Sequence, residues 1–207
     1  MKRTSIVIKA IQLASLLPFT LPADAQSVTT NVHSDSTWTV SDTNGSYLGN
    51  AQNVCLNATA PSNCPAAATL YGYRLPAWTA DLSSIPGATW IWAPNITGTT
   101  SPAANAEFTF QKQFYICGAP QGGKIWVAAD SFADVLLNGK RVLNSTSDAA
   151  LNMVNLVPAE VAEGLNIIQV KVKNGLNPSD CGSGQYQCNP AGLVFGASFE
   201  DYTLSAL

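Results

Sequence analysis

Residues 124–144, KIWVAADSFADVLLNGKRVLN, decide the fold class. Ile125, Val127 and Ala129 alternate with Trp126, Ala128 and Asp130, the period-two pattern of a strand with one buried face. Phe132–Leu137 gives a second extended run. Asn138-Gly139 then supplies a dipeptide that tolerates positive φ in a tight hairpin turn, and residues 140–143 begin the return strand. A strand, an acidic corner at Asp130, a second strand and an Asn-Gly turn predict an antiparallel β-sandwich.

The same pattern extends in both directions. In Glu107–Ile116 (EFTFQKQFYI), Phe108, Phe110 and Phe114 are placed as the apolar face of a core strand. Residues 165–172 (LNIIQVKV) set Ile168, Val170 and Val172 against Gln169, Lys171 and Lys173, and Asn174-Gly175 ends the run. Further strands are predicted at 37–40, closed by the turn cluster 42–45, and at 88–92, 152–157 and 193–202. Residues 82–85 and 158–164 read as single helical turns, the second stopped by Gly164. Residues 47–75 read as loop with short strands, and 27–36 as a loose polar lead-in. Many short strands without a long helix indicate a sandwich of class all-β, with no internal repeat and no second domain.

The first residues read as a secretory signal. Met1-Lys2-Arg3 is a basic n-region, residues 6–21 are mostly apolar, and Ala23-Asp24-Ala25 fits a small-residue cleavage site. Lys9, Gln12 and Pro18 interrupt a run already short for a membrane span. Cleavage after Ala25 leaves one domain over 26–207, exported to the extracellular space or cell wall. That chain carries seven Lys and Arg against twelve Asp and Glu, so no basic patch recommends nucleic acid or an anionic membrane as a partner.

Five cysteines in an exported chain suggest disulfides. Cys55 and Cys64 bracket one short loop, Cys181 and Cys188 another, and local pairing within each is expected because nearby cysteines meet often. Cys117 is left over at a strand end. It reads as a buried free thiol, with an intermolecular bridge as the sharper alternative. The sequons at Asn57, Asn95 and Asn144 fall in predicted loops or turns and are glycosylation acceptors in a eukaryotic secretory pathway.

Several segments together resemble one known family. They are Trp90-Ile91-Trp92, Phe110-Gln111-Lys112-Gln113-Phe114 and the run from Ala129 through Asp130 to Asn138-Gly139. Gly164-Leu165-Asn166-Ile167-Ile168, Lys173-Asn174-Gly175 and Asn189-Pro190-Ala191-Gly192-Leu193 follow in the same order. The chain resembles the galactose-binding-like jelly-roll sandwiches found as sugar-binding domains of glycosidases and in secreted lectin-like proteins. The likeness covers 88–202 best. It implies a jelly roll and a carbohydrate or glycoconjugate partner, and its residues are mostly scaffold.

Catalytic constellations are sparse. A Ser-His-Asp arrangement must use His33, the single histidine, and no Gly-x-Ser-x-Gly turn is present. A Cys nucleophile meets the same lack of a base, and His/Cys metal sites fail for want of ligands. A glycosidase carboxylate pair drawn from Asp81, Glu107, Asp130, Asp134 and Glu200 stays open, although Asp130 and Asp134 flank a corner where turn capping is the plainer role. Asp130, Asp134 and backbone carbonyls also leave room for a structural calcium, the one cofactor considered, without any dense acidic loop to recommend it.

Sugar binding needs a flat aromatic for the apolar face of a pyranose, and amides or carboxylates for its hydroxyls. Trp78, Trp90, Trp92, Trp126 and Tyr186 are candidate platforms. Trp90 and Trp92 are expected in the core, and Trp126 on the sheet face opposite Ile125 and Val127. Residues 174–189 form the candidate rim. The expected ligand set is Trp126, Asn174, Asp180, Gln185, Tyr186 and Asn189. The reading is a secreted, non-catalytic carbohydrate-binding protein. The alternatives are a structural or adhesive wall protein and a glycoside hydrolase with a carboxylate pair.

Overall fold

The computed structural model describes residues 25–55, 69–70, 78–94, 96, 102–176 and 186–204. The strands of the second half follow the alternation of their side chains. β7 (Glu107–Ile116) turns Phe110, Phe114 and Ile116 inward, β8 (Ala119–Asp130) Ile125, Val127 and Ala129, and β9 (Phe132–Leu137) Ala133, Val135 and Leu137. After the Asn138-Gly139 turn, where φ is +51° and +82°, the chain returns as β10 (Lys140–Ser145). Both residues adopt the left-handed region that this dipeptide tolerates best. The Asn138 amide also donates to Asn166 Oδ1 at 2.9 Å, and its Oδ1 accepts from the Ile167 N–H at 2.9 Å, which locks the turn onto the neighbouring strand.

The remaining strands are β1 (Ala25–His33), β2 (Thr39–Ser41), β3 (Tyr47–Asn50), β4 (Gln52–Cys55), β5 (Thr69–Leu70), β6 (Ile91–Trp92), β11 (Asn152–Leu156), β12 (Gly164–Lys173) and β13 (Gly192–Leu204). Two sheets result. The first runs β11-β8-β13-β6-β4-β5, with β1 also paired to β13; the second runs β10-β9-β12-β7-β2-β3. Every pairing is antiparallel except β4 with β5. Val40, Phe110, Val135, Ile168 and Val170 of the second sheet and Ile125, Val127, Leu193, Phe195 and Phe199 of the first belong to one buried cluster. Phe114 and Phe199 stack across it with centroids 4.4 Å apart. The fold is an all-β sandwich, with 3-10 turns and no α-helix among the described residues. No helix there is long and apolar enough to cross a membrane.

Several expectations are corrected. Residues 27–33 are not a loose lead-in: they lie within β1, paired with β13 over nine positions. Only Val28 and Val32 marked that strand as apolar, and the free edge of the long β13 supplies the partner that local pattern did not reveal. The strand expected at 88–92 shrinks to Ile91–Trp92. Asn144 lies within β10 rather than in a turn, and is exposed. Cys117 is exposed, not buried: Ile116 takes the inward position, so the next residue alternates outward.

The signal segment 1–24, Asn57 and Asn95 lie outside the described residues, as do Cys64, Cys181 and the Cys55 side chain. Cys188 is buried and carries a disulfide bond. The expected partners of both cysteine loops fall outside the described residues, so the two pairings stay expectations.

Candidate functional site

The outer face of the first sheet carries a shallow hollow of about 500 Å³. Alternation in β8 builds its floor: Ile125 and Val127 face the core, so Trp126 is turned outward and only partly covered. Register places Gly196 of β13 beside Trp126 and His33 of β1 beside Gly196, so three adjacent strands contribute one row. Asn31 and Ser198, two residues along their strands, line the same hollow.

One wall comes from Ser84, Ile85 and Pro86. Asp81 caps the short 3-10 turn Leu82–Ser84: its carboxylate accepts from the Ser83 N–H at 2.9 Å and from the Ser83 hydroxyl at 3.0 Å. The backbone bond, then the hydroxyl bond, hold its pKa below the ordinary carboxylate value. The buried Ile85 then rests on Gly196, where any β-carbon would overlap the Ile85 side chain. Gly196 is therefore what lets the wall seat against the sheet.

The end at His33 is fixed by hydrogen bonds. Ser34 donates through Oγ to the Thr89 carbonyl at 2.7 Å and accepts from the Phe195 N–H at 3.0 Å. Trp38 Nε1 donates to the His33 carbonyl at 2.8 Å. These bonds hold the end of β1 and leave the His33 imidazole half exposed, 3.8 Å from Asp35 Oδ2. The hollow thus combines one indole face with an imidazole, a carboxamide and two hydroxyls. Such a surface can stack on an apolar ring and exchange hydrogen bonds with its polar edge.

The other sequence-selected aromatics are placed differently. Trp78 and Trp90 stack at 4.6 Å and are buried, with Trp78 Nε1 donating to Asp130 Oδ2 at 3.0 Å. Trp92 packs edge-on against Phe108 at 5.6 Å, in the core as expected. Tyr186 is 0% exposed and donates its hydroxyl to the Ala191 carbonyl, so it offers no ring face to a ligand. That corrects its reading as a platform: the turn Tyr186–Cys188 carries it into the core.

Asn174 and Asn189 are brought together, as the rim reading required, but around backbone. Asn174 Nδ2 donates to the Ala103 carbonyl at 3.2 Å and the Asn189 carbonyl at 3.5 Å. Asn189 Nδ2 donates to the carbonyls of Pro102 at 3.0 Å and Gly175 at 3.2 Å. These amides satisfy loop carbonyls that the sheet ladder leaves unpaired, which corrects their reading as sugar-facing groups. Asp180 and Gln185 lie outside the described residues.

The carboxylates are also engaged. Burial pushes the Asp130 carboxyl above its usual value, against the lowering effect of its hydrogen bonds from Trp78 and Ser131, and Asp148 adds to the rise. Glu107 pairs with Lys173 at 3.1 Å and Asp134 with Arg141 at 2.8 Å. Glu107 and Asp134 line a second hollow, of about 340 Å³, on the outer face of the second sheet, together with Lys171 and Lys173. Among the described residues, no three of His, Cys, Asp and Glu gather in a metal-binding group.

Sequence reasoning found Trp126 and missed Asn31, His33, Ser84 and Ser198. The alternation of Asn31, Val32 and His33 was the available signal, hidden because the segment read as loop.

No known family model and no curated protein sequence matches the chain. Among solved structures it is similar to an α-L-rhamnosidase from Aspergillus terreus, at 18% identity, with 58% of this chain and 16% of that one covered and a TM-score of 0.43. A Streptomyces avermitilis α-L-rhamnosidase complexed with L-rhamnose shares 19% identity, over 75% of this chain and 13% of that one, at a TM-score of 0.42. A lectin from Pleurotus ostreatus in complex with GalNAc shares 20% identity, over 64% and 36% of the two chains, at a TM-score of 0.39. The chain spans little more than a third of these proteins at most. Its structural neighbours thus include glycosidases and a lectin, at a likeness too distant to transfer a site.

Proposed function

We propose that this chain is an exported, non-catalytic carbohydrate-binding sandwich of galactose-binding-like type, with Trp126 as its sugar platform. The observation that carries the reading is the outward, partly open Trp126 indole on the floor of a hollow that also presents Asn31, His33, Ser84 and Ser198. A pyranose presents C–H groups on one face and hydroxyls at its rim, and this surface offers the complement of both. The lack of chemistry is supported by the engagement of Glu107, Asp134 and Asp130 with protein partners.

The test is a broad glycan array with the purified chain, run with and without a chelator, and repeated with Trp126→Ala. Selective binding that falls at least about tenfold in the variant is expected, because the stacking face is removed while the fold is kept. A blank array from folded protein overturns the reading.

A structural or adhesive role is favoured by a different observation. Exposed Cys117 follows the exposed Tyr115 and the inward Ile116. On that reading two chains link through Cys117, and a non-reducing gel shows a dimer that Cys117→Ser abolishes.

A further inference from the structure

The sequon Asn144-Ser145-Thr146 closes β10 and splits between inside and outside. Ser145 turns inward, 2% exposed; its hydroxyl accepts from Asn152 Nδ2 at 2.8 Å and donates to the Ser147 carbonyl at 3.2 Å. Asn144 and Thr146 are exposed, and both line the hollow of about 340 Å³ on the outer face of the second sheet. Register gives that hollow the form of a trough. Ser145 pairs with Ala133 and Ala133 with Val172, so the backbone of these inward residues makes its floor. Asn144, Asp134 and Lys171 border one side, Phe132 and Lys173 the other. Asn144 pairs with Asp134, and Phe132 stands two residues away on the same face of β9. Such a diagonal neighbour lies about 7–8 Å off, within reach of an aromatic side chain. Phe132 is 46% exposed.

We propose that Asn144 carries an N-linked glycan whose first N-acetylglucosamine ring packs on Phe132 within this trough. The inference rests on the exported reading above, through a secretory pathway that attaches N-glycans. In the transfer, Asn144 Nδ2 bonds to C1 of the sugar and the C1–O bond to a lipid diphosphate carrier breaks. The diphosphate leaves with that electron pair, and the amide gives up one proton. The folded chain must then house the sugar, and Asn144 leaves room for it. Its carboxamide is exposed and makes no hydrogen bond among the described residues, whereas those of Asn138, Asn166, Asn174 and Asn189 hold turns and loops. The C–H face of the ring covers the half-exposed phenyl group, and its hydroxyls meet the ammonium of Lys171 and the carboxylate of Asp134. β10 also ends the strand order of its sheet, so a bulky polar group there shields an edge against pairing with another chain. Trp126 lies on the outer face of the other sheet, and its hollow stays clear of this glycan.

The experiment is expression of the full chain from its own N-terminus in a yeast that N-glycosylates secreted proteins. Endoglycosidase H then trims each glycan to a single sugar. Peptide mass mapping is expected to find that sugar on Asn144. In thermal melts the trimmed parent should exceed Asn144→Gln by about 2–4 °C, the shift of one aromatic contact in a chain of this size. In a Phe132→Ala background, which alters a half-exposed position and keeps the fold, that gap should close. An unmodified Asn144 in the secreted chain overturns the proposal while export stands. So does a gap that is absent from the start or that persists without Phe132. A chain retained inside the cell overturns the exported reading and the proposal with it.

Discussion

The outer faces of the two sheets are built from similar antiparallel ladders and differ in how their side chains are satisfied. On the second sheet, Glu107 pairs with Lys173 and Asp134 with Arg141, and Lys171 lies beside Asp134 in the register. On the first, Trp126 lies partly exposed beside Gly196 with uncharged polar neighbours at Asn31, Ser84 and Ser198. A face whose charges neutralise one another has little to gain from an uncharged ligand. A face with a partly exposed indole gains by covering the rest of it. Comparing Trp126 with Trp78 sharpens the point. Both rest on the first sheet, yet Trp78 is buried in a stack with Trp90 and spends its N–H on Asp130.

The largest effect that would test this division is Trp78→Ala. It empties a buried indole site and strips Asp130 of a donor, so a loss of about 3–5 kcal/mol in urea unfolding is expected. Glycan binding measured where the variant is still folded should hold, in contrast to Trp126→Ala. Equal loss of binding in both variants would erase the distinction between the two indoles.

Asp130 gives a smaller, pH-dependent effect. Burial raises its carboxyl above the ordinary value of 3.8, so the folded chain holds that proton more tightly than the unfolded chain does. The stabilisation is fully present below 3.8 and is lost as pH rises through the folded-state titration. Asp130→Asn keeps an oxygen acceptor for Trp78 and carries no charge. Its Tm should exceed the parent's at pH 7, with the gap closing as pH falls toward 3.8. A Tm below the parent's throughout that range would show that hydrogen-bond geometry, not charge burial, dominates.

Lys173→Met is the smallest. Both partners of the Lys173–Glu107 pair are about half exposed, so solvent screening limits the loss to roughly 0.2–1 kcal/mol in a thermal melt. Glycan affinity should not change. A marked drop in affinity would move the binding face to the second sheet.

The strands with dense apolar alternation were legible in advance. Glu107–Ile116 is the strand its phenylalanines foretold, and Asn138-Gly139 makes the expected turn. β1 was not legible, because a strand recruited by the edge of another needs few apolar residues of its own. The candidate site was half legible. The alternation around Trp126 marked an outward indole, but the residues beside it come from β1, β13 and the loop at 84–86.

The sequence by itself determined the all-β class, the buried faces of β7, β8 and β12, and the outward side of Trp126, because a two-residue period is written in neighbouring positions. Only the tertiary structure decided which polar residues surround that indole. It also decided that Tyr186, Asn174 and Asn189 serve core and loop. Those outcomes depend on which strand edge, carbonyl or wall arrives from a distant part of the chain, and no local pattern encodes that arrival.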